Sequence, residues 1–273
     1  MSESIRIAAI QMNSILCEPA SNLDRLEAIL AKLEGEVDIV CLPELFNVGY
    51  NLDALGDRIW ELAEPVPNGD TTRRLAEMAR RFHLSILAGL VESEPDVTGT
   101  IYDTVVILNE NGQLAGRYRK SHLYPAEHRY FTAGNSLPVF SLAGLKVGVA
   151  ICFEHAFPQI FTTLALRGAQ VIFNPSAVPV GFAYLQDLRT RARAQDNQCF
   201  VVAVNHVGAE DGVVYCGRSM VADPRGEVVA LGSDAEEGVV QAALSLDLIA
   251  NQRWQEPVFR CFRPALYEPR DGR

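Results

Sequence analysis

The 273-residue sequence predicts an α/β fold of two mixed sheets packed face to face with helices outside, and three observations carry that prediction. Short apolar runs rich in β-branched residues alternate with amphipathic stretches of helical period. The order strand, helix, strand, helix, hairpin occurs once in each half. No Pro/Gly/Ser-rich linker or low-complexity tract divides the chain, so residues 1–273 read as a single domain.

The elements follow in order. "IRIAAIQM" is a strand, "SNLDRLEAILAKLEG" a helix capped by Ser21 or Asn22 with a terminal glycine, and "VDIVCLPEL" a buried strand. The helix "TTRRLAEMARRF" and the strand "LSILAGLVE" come next, and "TVVILNENGQLAGRYRK" is a hairpin about "NENG", which makes the sheet mixed. In the second half "KVGVAIC", "QVIFNPS" and "CFVVAVNHVG" are strands, separated by the helices "FPQIFTTLALRGA" and "YLQDLRTRARAQDN". "SMVADPRGEVVALG" forms a second hairpin around Pro224 and Gly226.

With 48 % hydrophobic and 21 % charged residues, the composition is that of a globular chain able to bury a sizeable core. The formal charge of −10 argues against a sequence-independent grip on nucleic acid or an anionic membrane, leaving small molecules or protein chains as partners. The N-terminus lacks the pattern of a secretory signal and no run is apolar enough to span a bilayer, so a soluble, cytoplasmic protein is expected. Cys17, Cys41, Cys152, Cys199, Cys216 and Cys261 have no C-x-x-C spacing, and most sit in apolar surroundings as small core residues rather than a disulfide framework.

Three residues stand where apolar runs end. Cys152 follows "KVGVAI", ahead of a helix with Pro158 in its first turn, and a helix N-terminus favours a thiolate. Glu44 follows "DIVCLP", and Lys120 is delivered by "LAGRYRK" to the mouth of a loop. Strand ends of α/β sheets are where sites are built. Taken singly, each has a plain alternative: a buried structural thiol, a solvated loop acid, a solvated charge beside Arg117 and Arg119. The histidines His122, His155 and His206 lack zinc-site spacing, and neither nucleotide-binding glycine patterns nor G-x-S-x-G occurs, so no metal, cofactor or serine nucleophile is expected.

"CLPELFNVGY", "RYRKSHLYP" and "VGVAICFEHAFP", supported by "AEHRYFTAGN" and "LRTRARAQDNQCFVVAVNHVG", together resemble the nitrilase superfamily of carbon-nitrogen hydrolases over nearly the whole chain. That resemblance implies a four-layer α/β/β/α sandwich, a Glu44-Lys120-Cys152 triad, no cofactor, and a homodimer or higher homo-oligomer in which the arm 251–273 contacts the partner. It further implies that Glu127 lies beside the triad and positions substrate and Lys120, the alternative being a surface acid. Glu154 would orient the cysteine loop. Arg189, Arg191 and Arg193 read as ion-paired structure.

In the chemistry so implied, Glu44 accepts the Cys152 proton and later protonates the leaving nitrogen, while Lys120 and the Phe153 N–H hold the oxyanion. Tyr50, Phe153, Asn174, Ser176 and Ala177 are candidates for the pocket wall. Relatives acting on N-carbamoyl amino acids carry arginine shortly after the nucleophile. Here "CFEHAFP" has none, which leans toward a neutral or cationic linear amide or N-carbamoyl amine. Alternatives are nitrile hydrolysis through a thioimidate, and a non-catalytic partner-binding module on the same scaffold, whose six thiols would react with an electrophile at equal rates.

Overall fold

The protein is described here by a computed structural model covering residues 4–267. In chain order the first half comprises β1 (Ile5–Gln11), α1 (Pro19–Leu30), β2 (Ile39–Cys41), α2 (Leu52–Leu55), α3 (Arg58–Glu61), β3 (Glu64–Pro65), α4 (Asp70–Phe82), β4 (Ser85–Ser93), β5 (Ile101–Leu108) and β6 (Leu114–Arg119). The second half comprises β7 (Phe140–Leu142), β8 (Leu145–Val149), α5 (Pro158–Leu166), β9 (Val171–Ser176), α6 (Ala183–Asn197), β10 (Phe200–Asn205), β11 (Val207–Glu210), β12 (Val213–Cys216), β13 (Met220–Ala222), β14 (Val228–Leu231), β15 (Gly238–Leu244), α7 (Leu246–Gln255) and α8 (Val258–Cys261).

The first half builds one mixed sheet, completed at its edge by β15 from the second half, and the rest of the second half builds the other. The first has the order β15-β1-β2-β4-β5-β6 with β3 added beside β4, and the second runs β14-β13-β10-β9-β8-β7. Parallel trios form their centres, β1 with β2 and β4, and β8 with β9 and β10, while the flanking strands are antiparallel apart from the short β3, which runs parallel to β4. Because successive side chains point to opposite faces, each central strand feeds two cores. Ile7, Ile39, Leu87 and Val105 meet Val147, Val149, Phe173 and Val202 between the sheets. The opposite face of the first sheet packs Ile10, Val40 and Ile86 on Leu23, Leu26, Leu75 and Met78 from α1 and α4. Ile172 and Val201 pack on Ile160, Phe161 and Ala194 from α5 and α6. The result is the expected four-layer α/β/β/α sandwich.

Local chemistry explains where the boundaries fall. α1 begins at Pro19, whose missing N–H costs nothing at the first helical position, rather than at Ser21 or Asn22. Asn22 is instead buried, bonding the Ile15 N–H and the Ile15 and Asn47 carbonyls. The β5–β6 turn is closed by Asn109 Oδ1, which accepts from the Asn111 and Gln113 N–H groups, with Gly112 at φ +70°. The run from Cys199 divides at His206 into β10 and the separate β11–β12 ribbon. No helix among the described residues is long and apolar enough to cross a membrane.

Candidate active site

β2, β6 and β8 end on the same side of the sandwich, and the three residues beyond them converge. Lys120 Nζ lies 2.5 Å from Glu44 Oε1, 2.6 Å from Glu127 Oε1 and 3.4 Å from Asp103 Oδ2, and all four side chains are fully buried. Burial alone would strip the Lys120 ammonium of its proton, but the Glu127, Glu44 and Asp103 carboxyls outweigh that and hold it well above the ordinary lysine range. The Glu44 loop comes close because β4 carries Gly89 beneath it. A methyl group there would stand 2.7 Å from the Leu45 nitrogen and 2.8 Å from the Pro43 carbonyl oxygen.

Cys152 opens a short 3-10 turn, Cys152–Ala156, six residues ahead of the helix at Pro158. Its φ of +44° is a left-handed value that costs a side-chain-bearing residue about 1–2 kcal/mol, so the surroundings must hold it there. Glu154 does much of this. Its buried carboxylate accepts from Ile151 N (2.6 Å), Ser121 N (2.9 Å), Tyr118 Oη (2.7 Å), Ser121 Oγ (2.5 Å) and His122 N (3.1 Å), tying the cysteine turn to the Lys120 loop. Burial works to raise the Glu154 carboxyl, but the bonds from His122, Ser121, Ile151 and Tyr118 bring it below the usual range. From β9, Asn174 Nδ2 donates to the Ala150 carbonyl at 2.6 Å.

The sequence expected a helix end to favour the Cys152 thiolate. Burial and the neighbouring Glu44 charge instead push the thiol well above its ordinary value, against the opposing pull of Lys120 and of the Ala177 N–H. The sulfur therefore rests as a thiol next to a carboxylate that can take its proton. Glu44 itself is raised, chiefly by burial and by Glu127 against Lys120, which moves it toward the working range of a general base.

The pocket candidates divide by what they touch. Ala177 supplies the N–H facing the sulfur. Phe153 is half-buried, edge-on to Tyr124 at 5.3 Å and to Phe157 at 5.4 Å, and these rings form an aromatic wall beside the cysteine. Its N–H, in the first turn of a 3-10 helix, has no acceptor within that turn. Tyr50 donates its hydroxyl to Glu127 Oε1 at 2.5 Å, so it holds the second glutamate. Asn174 and Ser176 are turned inward: Ser176 Oγ bonds the Asn174 carbonyl at 3.1 Å, and both support the cysteine loop from below.

Several neighbours escaped the sequence reading. Asp103, the acid of "IYDTVVIL", stands among the triad, and an acid within such an apolar strand was a visible signal. Glu210 on the β11–β12 ribbon accepts the Tyr50 and Asn51 N–H groups at 2.8 and 2.9 Å. The His206 ring nitrogen Nε2 meets the Glu44 carbonyl at 2.6 Å. The arginines of α6 are not uniformly ion-paired: Arg193 meets Asp196 at 3.3 Å, Arg191 bonds the Gly226 carbonyl, and Arg189 meets His155 Nε2 at 3.0 Å. A guanidinium thus reaches the stretch after the nucleophile from another helix. Glu44, Asp103 and Glu127 could together hold a cation, and the Lys120 ammonium stands in their midst.

The chain is similar to known proteins over nearly its whole length. Residues 6–253 match the carbon-nitrogen hydrolase family. A nitrilase of Pyrococcus abyssi is 36 % identical, over 91 % of this chain and 93 % of its own. The 2-oxoglutaramate amidase of Bacillus subtilis is 32 % identical, over 96 % and 98 %. Among solved structures, an amidase from Nesterenkonia sp. AN1, carrying the acetamide moiety of fluoroacetamide added covalently at its active-site cysteine, superposes with a TM-score of 0.85 at 25 % identity, over 98 % and 97 %. These likenesses answer the binding-module alternative in favour of an enzyme. The chain belongs to the carbon-nitrogen hydrolase family of the nitrilase superfamily, hydrolases of C–N bonds other than the peptide bond.

Proposed function

We propose that the enzyme cleaves a small linear amide or N-carbamoyl amine through a thioester on Cys152. The observation that carries this reading is the convergence of Glu44, Lys120 and Cys152 in one buried cluster. Glu44 takes the thiol proton as Cys152 Sγ attacks the carbonyl carbon, and the developing oxyanion meets Lys120 and the Phe153 N–H. An ammonium has three donors, and Glu44 and Glu127 occupy two, so the third is available to the oxyanion. Collapse breaks the C–N bond, and Glu44 returns the proton to the departing nitrogen. Water then attacks the thioester, giving its proton to Glu44, and the acid and the thiol are released. Glu127, held by Tyr50 and by the Tyr124 N–H, keeps Lys120 in place.

Two glutamates around one ammonium leave the cluster with an excess of negative charge, which makes an anionic substrate group unwelcome near the sulfur and supports a neutral or cationic substrate. Nitrile hydrolysis at the same cysteine is the second reading, supported by the similarity to the Pyrococcus nitrilase. Release of ammonia and carbon dioxide from short amides, N-carbamoyl amines and nitriles, by wild type beside Cys152→Ala, separates these. Cys152-dependent ammonia alone identifies an amidase, or a nitrilase when the nitrile is consumed, and both gases identify a carbamoyl hydrolase. Faster turnover of a carboxylated carbamoyl amino acid than of its decarboxylated amine would overturn the charge preference and make Arg189 the residue to substitute.

The enzyme is further proposed to work in the cytoplasm as a homodimer or larger homo-oligomer. Exposed Phe182, Tyr184 and Leu188 around the start of α6, and Trp254, Leu266 and Tyr267 in the C-terminal arm, support self-association. Residues 268–273 of that arm lie outside the described residues. Light scattering on the eluting protein tests this, and a 30 kDa mass would refute it.

A further inference from the structure

Asp103 is fully buried in β5, opposite Val91 of β4, and its own carbonyl accepts the Lys120 N–H at 2.9 Å. Among the described residues neither of its carboxyl oxygens meets a hydrogen-bond donor, and neither does Glu44 Oε2. The nearest cation, Lys120 Nζ, is 3.4 Å away, beyond ordinary hydrogen-bond length. Yet oxygens of Glu44, Asp103 and Glu127 lie within 4.8 Å of one another. Two facing carboxyls with no donor between them are both satisfied if one of them carries a proton and gives it to the other.

We propose that Asp103 is a positioning residue that enters the reaction protonated and donates its O–H to Glu44, holding Glu44 ionised as the base. This rests on the reading of Glu44 and Lys120 given under the proposed function. The donors present decide which group holds the proton. Glu127 receives Lys120, the Tyr50 hydroxyl and the Tyr124 N–H, and Glu44 receives Lys120, whereas Asp103 receives none. The groups facing it from the packed elements are Lys120 after β6, Glu44 after β2 and Glu127 in the turn beyond Lys120. Burial, together with Glu44 and Glu127, pushes the Asp103 carboxyl well above the usual range against Lys120, and its bond to Glu44 raises Asp103 while lowering Glu44. A neutral Asp103 also makes no claim on the third Lys120 N–H, which the oxyanion needs.

The test needs no knowledge of the substrate. The rate of Cys152 alkylation by iodoacetamide, read by mass spectrometry of its peptide from pH 5 to 9, is compared for wild type, Asp103→Asn, Asp103→Val and Glu44→Gln. An asparagine amide keeps a donor and the neutral charge, so Asp103→Asn retains the wild-type pH profile and a rate within about threefold, while Asp103→Val, which loses the donor to an ionised group, falls at least about tenfold. Were Asp103 ionised, Asp103→Asn would remove a charge beside Lys120 and Cys152 and shift the whole profile to lower pH, overturning the proposal. Equal rates for the asparagine and valine variants would overturn it too. Labelling indifferent to Glu44→Gln would instead sink the base reading itself, and this inference with it.

Discussion

Substituting Lys120 by methionine removes the ammonium and keeps most of the side-chain volume, so its effects report on charge. The structure gives that ammonium no solvent exposure and two carboxylate contacts, at 2.5 and 2.6 Å. Removing one partner of a buried ion pair costs about 3–5 kcal/mol, and the loss here leaves two acids without their cation. Two carboxylates within 4.8 Å of one another repel by at least about 3 kcal/mol at an effective dielectric constant near 20, so the pair takes up a proton rather than keep both charges. Their folded-state pKa values then rise above the unfolded ones. Stability of the variant is lost as pH climbs from about 4.3 through the raised values, so its deficit is small near pH 5 and largest near pH 8. Urea unfolding of both proteins at the two pH values measures this, and ammonia release at pH 7.5 measures catalysis. Loss of an oxyanion donor alone removes about 10²–10³ in turnover, and protonation of Glu44 adds to it, so a fall of about 10³ or more is expected. Full burial makes both the loss of stability and the loss of turnover large. A deficit below about 1 kcal/mol that does not change with pH, with turnover reduced less than tenfold, would refute the reasoning.

Gly89→Ala places a methyl group against the backbone of the Glu44 loop, so about 1–3 kcal/mol of stability and at least tenfold in turnover are lost; unchanged kinetics would show that the loop has room. Glu154→Gln replaces an acceptor of five bonds with a group that cannot satisfy them all, costing about 2–4 kcal/mol at pH 7. Because the folded-state pKa of Glu154 is lowered, wild type loses this advantage as pH falls below about 4.5, and chemical denaturation at pH 7 and pH 4 distinguishes that from a constant difference. His155 is pushed down to about 3 by burial, Arg189 and Arg193, so it is neutral when folded and takes a proton on unfolding at acid pH. Between about pH 3 and 6.5 it makes wild-type stability rise with pH by up to about 1.4 kcal/mol per pH unit, and His155→Gln flattens that slope by one proton.

How far the sequence reveals this enzyme depends on whether the signal is local. Apolar runs and the "NENG" turn located most strands, because one-sided burial and turn geometry act within a few residues. β15 is different: "GVVQAAL" sets only Val240 and Leu244 inward as the antiparallel edge partner of β1, and such thin patterning reads as loop. The β11–β12 ribbon was legible and passed over, since Asp211 and Gly212, at φ +41° and +87°, form the Asp-Gly turn that favours hairpins. Within the site, Glu44, Lys120 and Cys152 stand out at strand ends, but their meeting depends on two sheets packing face to face, which no spacing in the chain reveals. Asp103 looked like one polar residue on a strand. Its importance comes from which neighbours share its burial.

The central claim is a thioester on Cys152. Rapid acid quench of the enzyme with its fastest amide, followed by peptide mass analysis, tests it most directly. The account predicts one acyl group on the Cys152 peptide, formed with a stoichiometric burst of ammonia and absent from Cys152→Ala. Steady turnover by Cys152→Ala, or an acyl group on any other residue, would contradict it.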